Sequence, residues 1–320
     1  MRSLTIFAMT AFALLTSGAS FSQDKFPTKP IRILVGFAPG SGTDVLARTV
    51  GQKISENLGQ SVVVDNRPGA GGVIASELLA RSLPDGHTLV MVAVGHAFNV
   101  SANSKLPYDT MKDFAGISMV ADIPNVLVVP PALRIKTMRE LMTLAKSKQL
   151  SWAGAGFGSS GHLNGELFNL AVGIKPVHVP FKGMAEALST LVGQHVEFVF
   201  SSITAAVGLI KSDKLVALAV SSKTRSPALP DVPTMSEAGL PGFYFTSWYG
   251  LLVPGKTPKP VKDLLSKEVA RILALPDVKA RLLTVGAMAQ STSPEEFDQM
   301  IRQDVARLAK LIKDVGMPVQ

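Results

Sequence analysis

Short hydrophobic stretches alternate with longer amphipathic stretches from residue 31 onwards. The stretches 31–35, 61–65 and 87–94 are rich in β-branched residues and therefore predict strands. Between them, residues 43–58 carry apolar side chains at helical spacing up to Gly59, and a glycine-rich turn at 66–72 opens a helix to about residue 83. This strand–helix order predicts a parallel α/β sheet with right-handed crossovers.

A second series of the same kind follows Pro130-Pro131. It predicts helices at 137–148, 162–172, 183–192 and 202–211, and strands at 150–154, 176–180, 195–200 and 214–221. Separate strands are expected at 115–121, 125–129 and 245–253. Two helices are expected to close the chain, the last one beginning at the capping box of residues 293–296.

The two series predict two similar α/β domains. The first is expected to be discontinuous, with residues 26–124 plus 246–320, and the second to comprise residues 125–245. The chain would cross between them near residues 125 and 245. A ligand is then expected in the cleft, at the carboxyl ends of the strands.

The first 22 residues have the pattern of a secretory signal peptide. Arg2 is followed by an apolar stretch and a small-residue end, with Ser20 and Ser22 suited to cleavage before Gln23. The alternative, an N-terminal membrane anchor, is disfavoured because the apolar stretch is short for a spanning helix. We therefore expect a periplasmic protein.

Composition narrows the function classes. The 320 residues are 47% hydrophobic and 18% charged, with a formal net charge of +8 and no cysteine. The basic residues are dispersed and aromatic residues are few, so we expect no nucleic-acid partner. The five histidines form no H-x-x-x-H or H-E-x-x-H pair, so no metal site and no cofactor are expected.

Two glycine- and serine-rich turns each stand between a predicted strand and a predicted helix, at 36–44 and 154–161. Such a turn presents backbone N–H groups at the positive end of a helix, and its small residues let an anion approach closely. The two turns together therefore predict a site for an acidic small molecule.

Two nucleotide-binding patterns in the chain are interpreted as accidental. Residues 250–257 match G-x-x-x-x-G-K-T, but their apolar middle predicts a strand rather than a phosphate loop. Residues 156–161 match G-x-G-x-x-G, but the next strand ends in Phe181-Lys182 and not in the acid that a dinucleotide ribose requires. A smaller anion suits the second turn better.

A serine-type hydrolase is the enzymatic alternative, because Ser159, Ser160 and His162 are close in sequence. No G-x-S-x-G elbow surrounds either serine, so no catalytic residue is predicted. The serines are instead expected to cap a helix or to donate to a bound oxygen. Asp44 most simply complements the start of its own helix.

The motifs in order resemble those of the periplasmic receptors of tripartite tricarboxylate transporters, the Bug family, over essentially the whole mature chain. The resemblance rests on segments 30–48, 64–72, 84–89, 156–163, 179–183, 225–234, 237–239 and 248–250. It implies a two-domain type II periplasmic binding protein fold (a Venus flytrap), with a cleft between two parallel-type sheets. It also implies that the protein is not an enzyme.

The resemblance further implies which residues hold a ligand carboxylate between the domains. One lip of the cleft would comprise Phe37, Ala38, Gly40, Ser41 and Asp44. The other would comprise Gly156, Gly158, Ser159, Ser160 and His162, with Lys182, Gly183, Ser201 and Trp248 as more distant contacts.

The expected function is that of a monomeric receptor that closes around a small carboxylate and delivers it to integral-membrane transporter subunits. Ser201 stands where the family usually has an aspartate, which argues against an amino-acid ligand and favours a plain mono- or dicarboxylate. A sensor subunit that presents its ligand to a membrane kinase is an alternative that the sequence does not separate from a transport receptor.

Overall fold

The structure, a computed structural model, describes residues 26–181, 183–284, 286–317 and 319. Residues 1–25 lie outside the described residues, and the predicted signal peptide lies among them. Nowhere in the described ranges is a helix both long enough and apolar enough to cross a bilayer.

The chain forms ten strands and ten α-helices in the ranges that the structure describes. The strands are β1 (Ile31–Val35), β2 (Val62–Asn66), β3 (Thr88–Ala93), β4 (Phe114–Val129), β5 (Ser151–Gly154), β6 (Val177–Pro180), β7 (Phe198–Ser202), β8 (Val216–Val220), β9 (Thr246–Pro254) and β10 (Met288–Ala289). The helices are α1 (Gly42–Leu58), α2 (Val73–Ala80), α3 (Gly95–Ala102), α4 (Met138–Ser147), α5 (Ser160–Val172), α6 (Met184–Val192), α7 (Ile203–Lys211), α8 (Lys259–Ala274), α9 (Pro276–Thr284) and α10 (Pro294–Val315).

The strands form one curled, mixed sheet in the order β2-β1-β3-β9-β4-β7-β5-β6, with β8 and β10 also pairing with β4. The predicted parallel pairing is confirmed for β1 with β2 and β3, and for β5 with β6 and β7. Strands β4 and β9 instead run antiparallel to their neighbours in the middle of the sheet. The result is an α/β architecture with one parallel group of strands at each end.

The centre of the sheet is one long strand, and the prediction of two strands at 115–121 and 125–129 is wrong. β4 runs unbroken through Asp122 and Pro124, and all of its 16 residues are buried. Its first part pairs with β9 as far as Pro124 opposite Thr246, and its second part pairs with β7 from Asn125 opposite Ser202. β4 therefore belongs to both ends of the sheet.

Two further differences concern helices. α3 follows β3 directly and was not predicted, because its eight residues carry no clear apolar repeat. Three helices, not two, follow β9, because Pro276 starts a new helix one residue after α8 ends. The predicted capping box of α10 is confirmed, since the Ser293 side chain accepts from the N–H of Glu296 and the Glu296 carboxylate accepts from the N–H of Ser293.

Apolar side chains cover both faces of the sheet at each of its ends. At the end formed by β1–β3 and β9, α1 and α8 cover one face, and α2, α3 and α10 cover the other. At the end formed by β5–β8, a cluster around Trp152 and Phe198 lies on one face and a cluster around Leu188 and Val199 on the other. Helices on both faces explain why the parallel strands have continuous hydrophobic sequences.

Candidate functional site

The site lies where the parallel strands end. The turn after β1 (residues 36–41, the first turn) leads into α1, and the turn after β5 (residues 155–159, the second turn) leads into α5. Shorter connections after β2 and β3 add Gly71, Gly72 and Gly95 at the same edge. The carboxyl edge of parallel strands is the usual ligand edge of open α/β sheets.

The two turns have the same internal hydrogen bonds. In the first, the Ser41 side chain caps α1 by accepting from the N–H of Asp44 (3.3 Å), and the N–H of Gly40 donates to the Asp44 carboxylate (2.9 Å). In the second, the Ser159 side chain caps α5 by accepting from the N–H of His162 (3.2 Å), and the N–H of Gly158 donates to Nδ1 of His162 (3.3 Å).

The backbone of the two turns also matches. Ser41 has φ −66° and ψ 160°, and Ser159 has φ −65° and ψ 156°. The preceding glycines have positive φ, 82° at Gly40 and 75° at Gly158, which is the region that favours glycine. The sequence pattern Gly-Ser-x-x-Asp/His, present once in each turn, is the signal that could have predicted this equivalence.

The internal hydrogen bonds decide which N–H groups remain free. Those of Gly40 and Gly158, expected on the lips of the cleft, have acceptors inside their own turns. Among the described residues, no acceptor is found for the first two N–H groups of each helix, at Gly42 and Thr43 of α1 and at Ser160 and Gly161 of α5. Such groups at a helix start are donors for an anion.

Both helix starts lie over the same short piece of β4. A Cβ atom at Gly42 would be 3.6 Å from Cδ1 of Ile123, and the Ser160 hydroxyl donates to Oδ1 of Asn125 (3.3 Å). Residues 123 and 125 point to one face of a strand and are about 7 Å apart along it. The two helix starts therefore converge on one place.

The second turn also touches the β1–β3 end of the sheet directly. The rings of Phe157 and Phe98 are 5.2 Å apart in an edge arrangement. A Cβ atom at Gly158 would be 2.5 Å from Cδ1 of Phe98, and one at Gly95 would be 3.5 Å from the carbonyl oxygen of Gly158. The absence of a side chain at Gly158 allows α3 and the second turn to meet.

A cavity of about 10 Å³ lies beside the first turn, between Gly36, Phe37, Gly72 and Gly95. This volume holds about one water molecule. In this structure it is too small for a carboxylate with a carbon chain.

Asp44 and His162 are both buried but differ in charge. Asp44 is 3% exposed, and although burial acts to raise its pKa, hydrogen bonds from Arg48, Gly40 and Asn66 lower the pKa below its usual value. Burial, with a smaller contribution from His178, lowers the pKa of His162 to about 3. Asp44 is therefore a carboxylate and His162 a neutral imidazole at neutral pH.

The other predicted site residues are spread more widely. Ala38 is exposed in the first turn, and Gly156, with φ 95°, accepts from the N–H of Ser159. Gly183 precedes α6 with open space around it. Lys182 lies outside the described residues.

Two predicted contacts lie in the core instead of the cleft. Ser201 is fully buried, and its hydroxyl donates to the carbonyl oxygen of Ser202. Trp248 packs edge-on against Phe297, and its indole N–H donates to Asp304 (2.6 Å). The structure does not bring either side chain to the two turns.

Asn125 is at the convergence point and was not predicted. It is fully buried, and its backbone N–H donates to the Ser221 hydroxyl while its side-chain oxygen accepts from Ser160. Its side-chain nitrogen has no partner among the described residues. Within those residues, no three acidic or histidine side chains are close enough together to hold a metal ion.

The α/β fold, with two helix starts over one piece of β4, is that of a solute-binding protein. The family model described as "Tripartite tricarboxylate transporter family receptor" matches residues 46–317, so the chain belongs to this family. The resemblance found in the sequence is thereby confirmed.

Individual relatives are similar to this chain over nearly its whole length. The chain is 33% identical to Protein BugT of Bordetella pertussis, over 97% of each chain. Rpa4515 of R. palustris, whose structure was solved with adipate, is 32% identical with a TM-score of 0.85, over 91% of this chain and 98% of the other. MatC of Rhodopseudomonas palustris, solved with bound malate, is 33% identical with a TM-score of 0.80, over 90% and 100%.

Proposed function

We propose that this protein is a periplasmic receptor that takes up a small carboxylate between the two turns and passes it to a membrane transporter. The observation that carries the proposal is the convergence of two helix starts on residues 123–125 of β4, each with two N–H groups that have no acceptor among the described residues. The adipate and malate bound by two relatives support a carboxylate as the ligand.

The ligand contacts that we propose are narrower than the set expected from sequence. The N–H groups of Gly42, Thr43, Ser160 and Gly161 would donate to the carboxylate, because charge-assisted hydrogen bonds from N–H groups are the strong ones. Phe37, Ala38, Gly156 and Gly183 would border the cleft. Asp44, Ser41, Ser159 and His162 would hold the turns in shape, since their side chains are engaged within them.

Closure is the proposed response to the ligand. We retain the division into residues 26–124 plus 246–320 and residues 125–245, because the pairing of β4 changes from β9 to β7 between Pro124 and Asn125. A carboxylate that touches both helix starts binds the closed form better, and it therefore shifts the population towards that form. The protein would act as a monomer, without catalysis, after removal of residues 1–22.

A panel of acids tests the proposal. Mono-, di- and tricarboxylates, including adipate and malate, are added to the purified mature chain, and the unfolding temperature is measured. An acid present at about 30 times its Kd should stabilise the protein by about 2 kcal/mol and raise the unfolding temperature by several degrees. The corresponding amides and alcohols, which lack the charge, serve as controls and should leave the temperature unchanged.

Two outcomes would contradict the proposal. One is the absence of any shift across the whole panel. The other is steady hydrolysis of esters or amides that Ser159→Ala abolishes, which would instead support an exported serine hydrolase. Capture of a membrane kinase rather than transporter subunits by the tagged protein would favour the sensor role.

A further inference from the structure

The two turns have matching geometry but differ in the side chain that accepts from the glycine N–H. The acceptor that holds the glycine N–H is a carboxylate in the first turn and an imidazole in the second. The backbone hydrogen bonds inside the two turns also correspond, since the serine N–H groups donate to the carbonyl oxygens of Ala38 and Gly156, both at 3.2 Å. The two turns therefore use a charged acceptor and an uncharged acceptor for the same hydrogen bond.

The tautomer of His162 follows from its neighbours. Nδ1 accepts from the N–H of Gly158, so the ring proton of the neutral imidazole is on Nε2. Nε2 faces the Glu166 carboxylate at 3.8 Å. Three aromatic rings also pack against the His162 ring, with centroid distances of 4.9 Å for His178, 5.1 Å for Phe157 and 6.0 Å for Trp152. Trp152 and His178 are themselves stacked, with their centroids 4.3 Å apart. His162 is 2% exposed, and it thus acts on the cleft only through Gly158.

The start of α1 carries a carboxylate that the start of α5 lacks. The Asp44 carboxylate accepts from the guanidinium of Arg48 (3.0 Å) and from the amide of Asn66 (2.9 Å) as well as from Gly40. A carboxylate in the first turn of a helix also offsets the positive end of that helix. The side chain of Arg48 is half exposed to solvent whereas that of Asp44 is buried, so the carboxylate outweighs its partner at this place. The start of α1 therefore has less positive potential for a ligand than the start of α5.

The start of α5 keeps its positive potential, because residues 155–163 include no charged side chain and His162 is neutral, while Glu166 lies four residues further along the helix. Next to it, the buried side-chain nitrogen of Asn125 has hydrogens but no acceptor within the described part of the chain. An unsatisfied buried donor destabilises the folded state, and an acceptor oxygen would remove that cost. This nitrogen is thus an independent sign that an oxygen-bearing group belongs at this place.

We propose that His162 is a positioning residue, which turns the Gly158 N–H away from the cleft without adding negative charge, so that a ligand carboxylate is bound mainly at the start of α5. Asp44 performs the same mechanical task at α1, and the first turn then contributes shape and secondary donors. The inference rests on the proposed function for its ligand and on the hydrogen bonds of the turn for its mechanism.

The decisive comparison is between His162→Asp and His162→Asn. Both replacements offer an oxygen to the Gly158 N–H, but only the aspartate brings a charge, as in the first turn. With adipate and malate as probes in calorimetry at pH 7.5, His162→Asn should stay within about threefold of the wild type, whereas His162→Asp should lose at least about tenfold. His195→Asp, which adds the same charge at an exposed position, is the matched control and should bind as the wild type does.

The pH dependence of ligand affinity distinguishes an effect of the added charge from a misfolded turn. Among the described residues, the titratable groups that face residue 162 are Glu166 and His178. Binding to His162→Asp should recover relative to His162→Asn once the pH is low enough to protonate the introduced carboxylate, because protonation removes the added charge, whereas a merely misfolded turn would not recover. Equal affinity of the two variants at pH 7.5 would overturn the inference.

A ligand-free measurement keeps this result distinct from that of the proposed function. Nitrogen NMR of the labelled imidazole should show His162 neutral, with its proton on Nε2, between pH 5 and 8. Exchange of the Gly158 amide hydrogen should be faster in His162→Ala. A proton on Nδ1 would overturn the positioning role even if adipate binds. Failure of the wild type to bind any acid would overturn the proposed function and the ligand assignment, while the NMR result would still decide the role of His162.

Discussion

Replacing Gly158 with alanine is expected to weaken carboxylate binding by about ten- to a hundredfold. The new Cβ would lie 2.5 Å from Cδ1 of Phe98, so the second turn could no longer rest against α3. Forcing a methyl group into a packed contact costs about 1–3 kcal/mol. If the contact between α3 and the second turn forms only when the protein closes on its ligand, this cost is subtracted from the binding free energy and gives the stated loss in affinity. The measurement is adipate binding by calorimetry, beside the free energy of unfolding in urea.

Gly173→Ala is the matched control for Gly158→Ala. Gly173 ends α5 with φ 72°, close to the 75° of Gly158, but apart from its chain neighbours no described residue comes within 4 Å of the position of its Cβ. Both variants should lose about 1–2 kcal/mol of stability from the left-handed backbone. Only Gly158→Ala should lose affinity in addition.

A second-site change checks the cause of the lost affinity. Phe98→Leu removes the ring that the new methyl group would strike, so Gly158→Ala combined with Phe98→Leu should bind adipate better than Gly158→Ala alone. Such coupling is expected for residues in contact. If Gly158→Ala binds as tightly as the wild type, the contact between α3 and the second turn has no part in closure.

Asp122→Asn is expected to stabilise the protein by about 2–3 kcal/mol at pH 7.5 and to have almost no effect near pH 4. Burial raises the pKa of the Asp122 carboxyl to about 6, although a hydrogen bond with Thr246 acts in the opposite direction. Oδ1 of Asp122 has no partner in the described part of the chain. A shift of two pKa units corresponds to about 2.7 kcal/mol.

The sign of the pH dependence follows from the raised pKa. The folded chain holds this proton more tightly than the unfolded chain, whose aspartates have pKa values near 3.9. The contribution of Asp122 to stability therefore falls as the pH rises from about 4 to about 6, and the loss is complete above that range. Asparagine carries no such charge, so the variant should lack this part of the pH dependence.

Urea unfolding of both proteins at pH 4, 5, 6 and 7.5 measures the difference between them. Asp231→Asn, at an exposed position, is the control and should change the stability little at any pH. A constant difference between wild type and Asp122→Asn across the four pH values would show that the Asp122 carboxyl does not titrate in this range.

Local sequence patterns were sufficient for much of the fold. β1 was predicted at the residues where it is found, and the two glycine turns lie between strand and helix as expected. These features depend on neighbours in the chain, such as the serine that caps each helix. The break predicted at 122–124 was wrong because an acid and a proline interrupt the apolar pattern there, whereas pairing with distant β9 keeps both residues in the strand.

Less of the site could be predicted from the sequence, because part of it depends on contacts between residues far apart in the chain. That Gly40 and Gly158 donate within their turns follows from local spacing and could have been inferred from the two Gly-Ser-x-x-Asp/His patterns. The meeting of Phe98 with Gly158, the place of Asn125 and the burial of Trp248 beside Asp304 depend on residues far apart in sequence. No periodicity in one chain records such contacts.

The unbroken course of β4 fixes the spacing between the two halves of the molecule. β4 passes from β9 to β7 without an unpaired residue, since Pro124 is opposite Thr246 and Asn125 is opposite Ser202. Loops elsewhere tolerate insertions, but one extra residue at this step would turn every later side chain of the strand to the opposite face. The number of residues at 124–125 is therefore fixed by the pairing of β4. A reporter or tag should be inserted into the surface loops of this receptor instead.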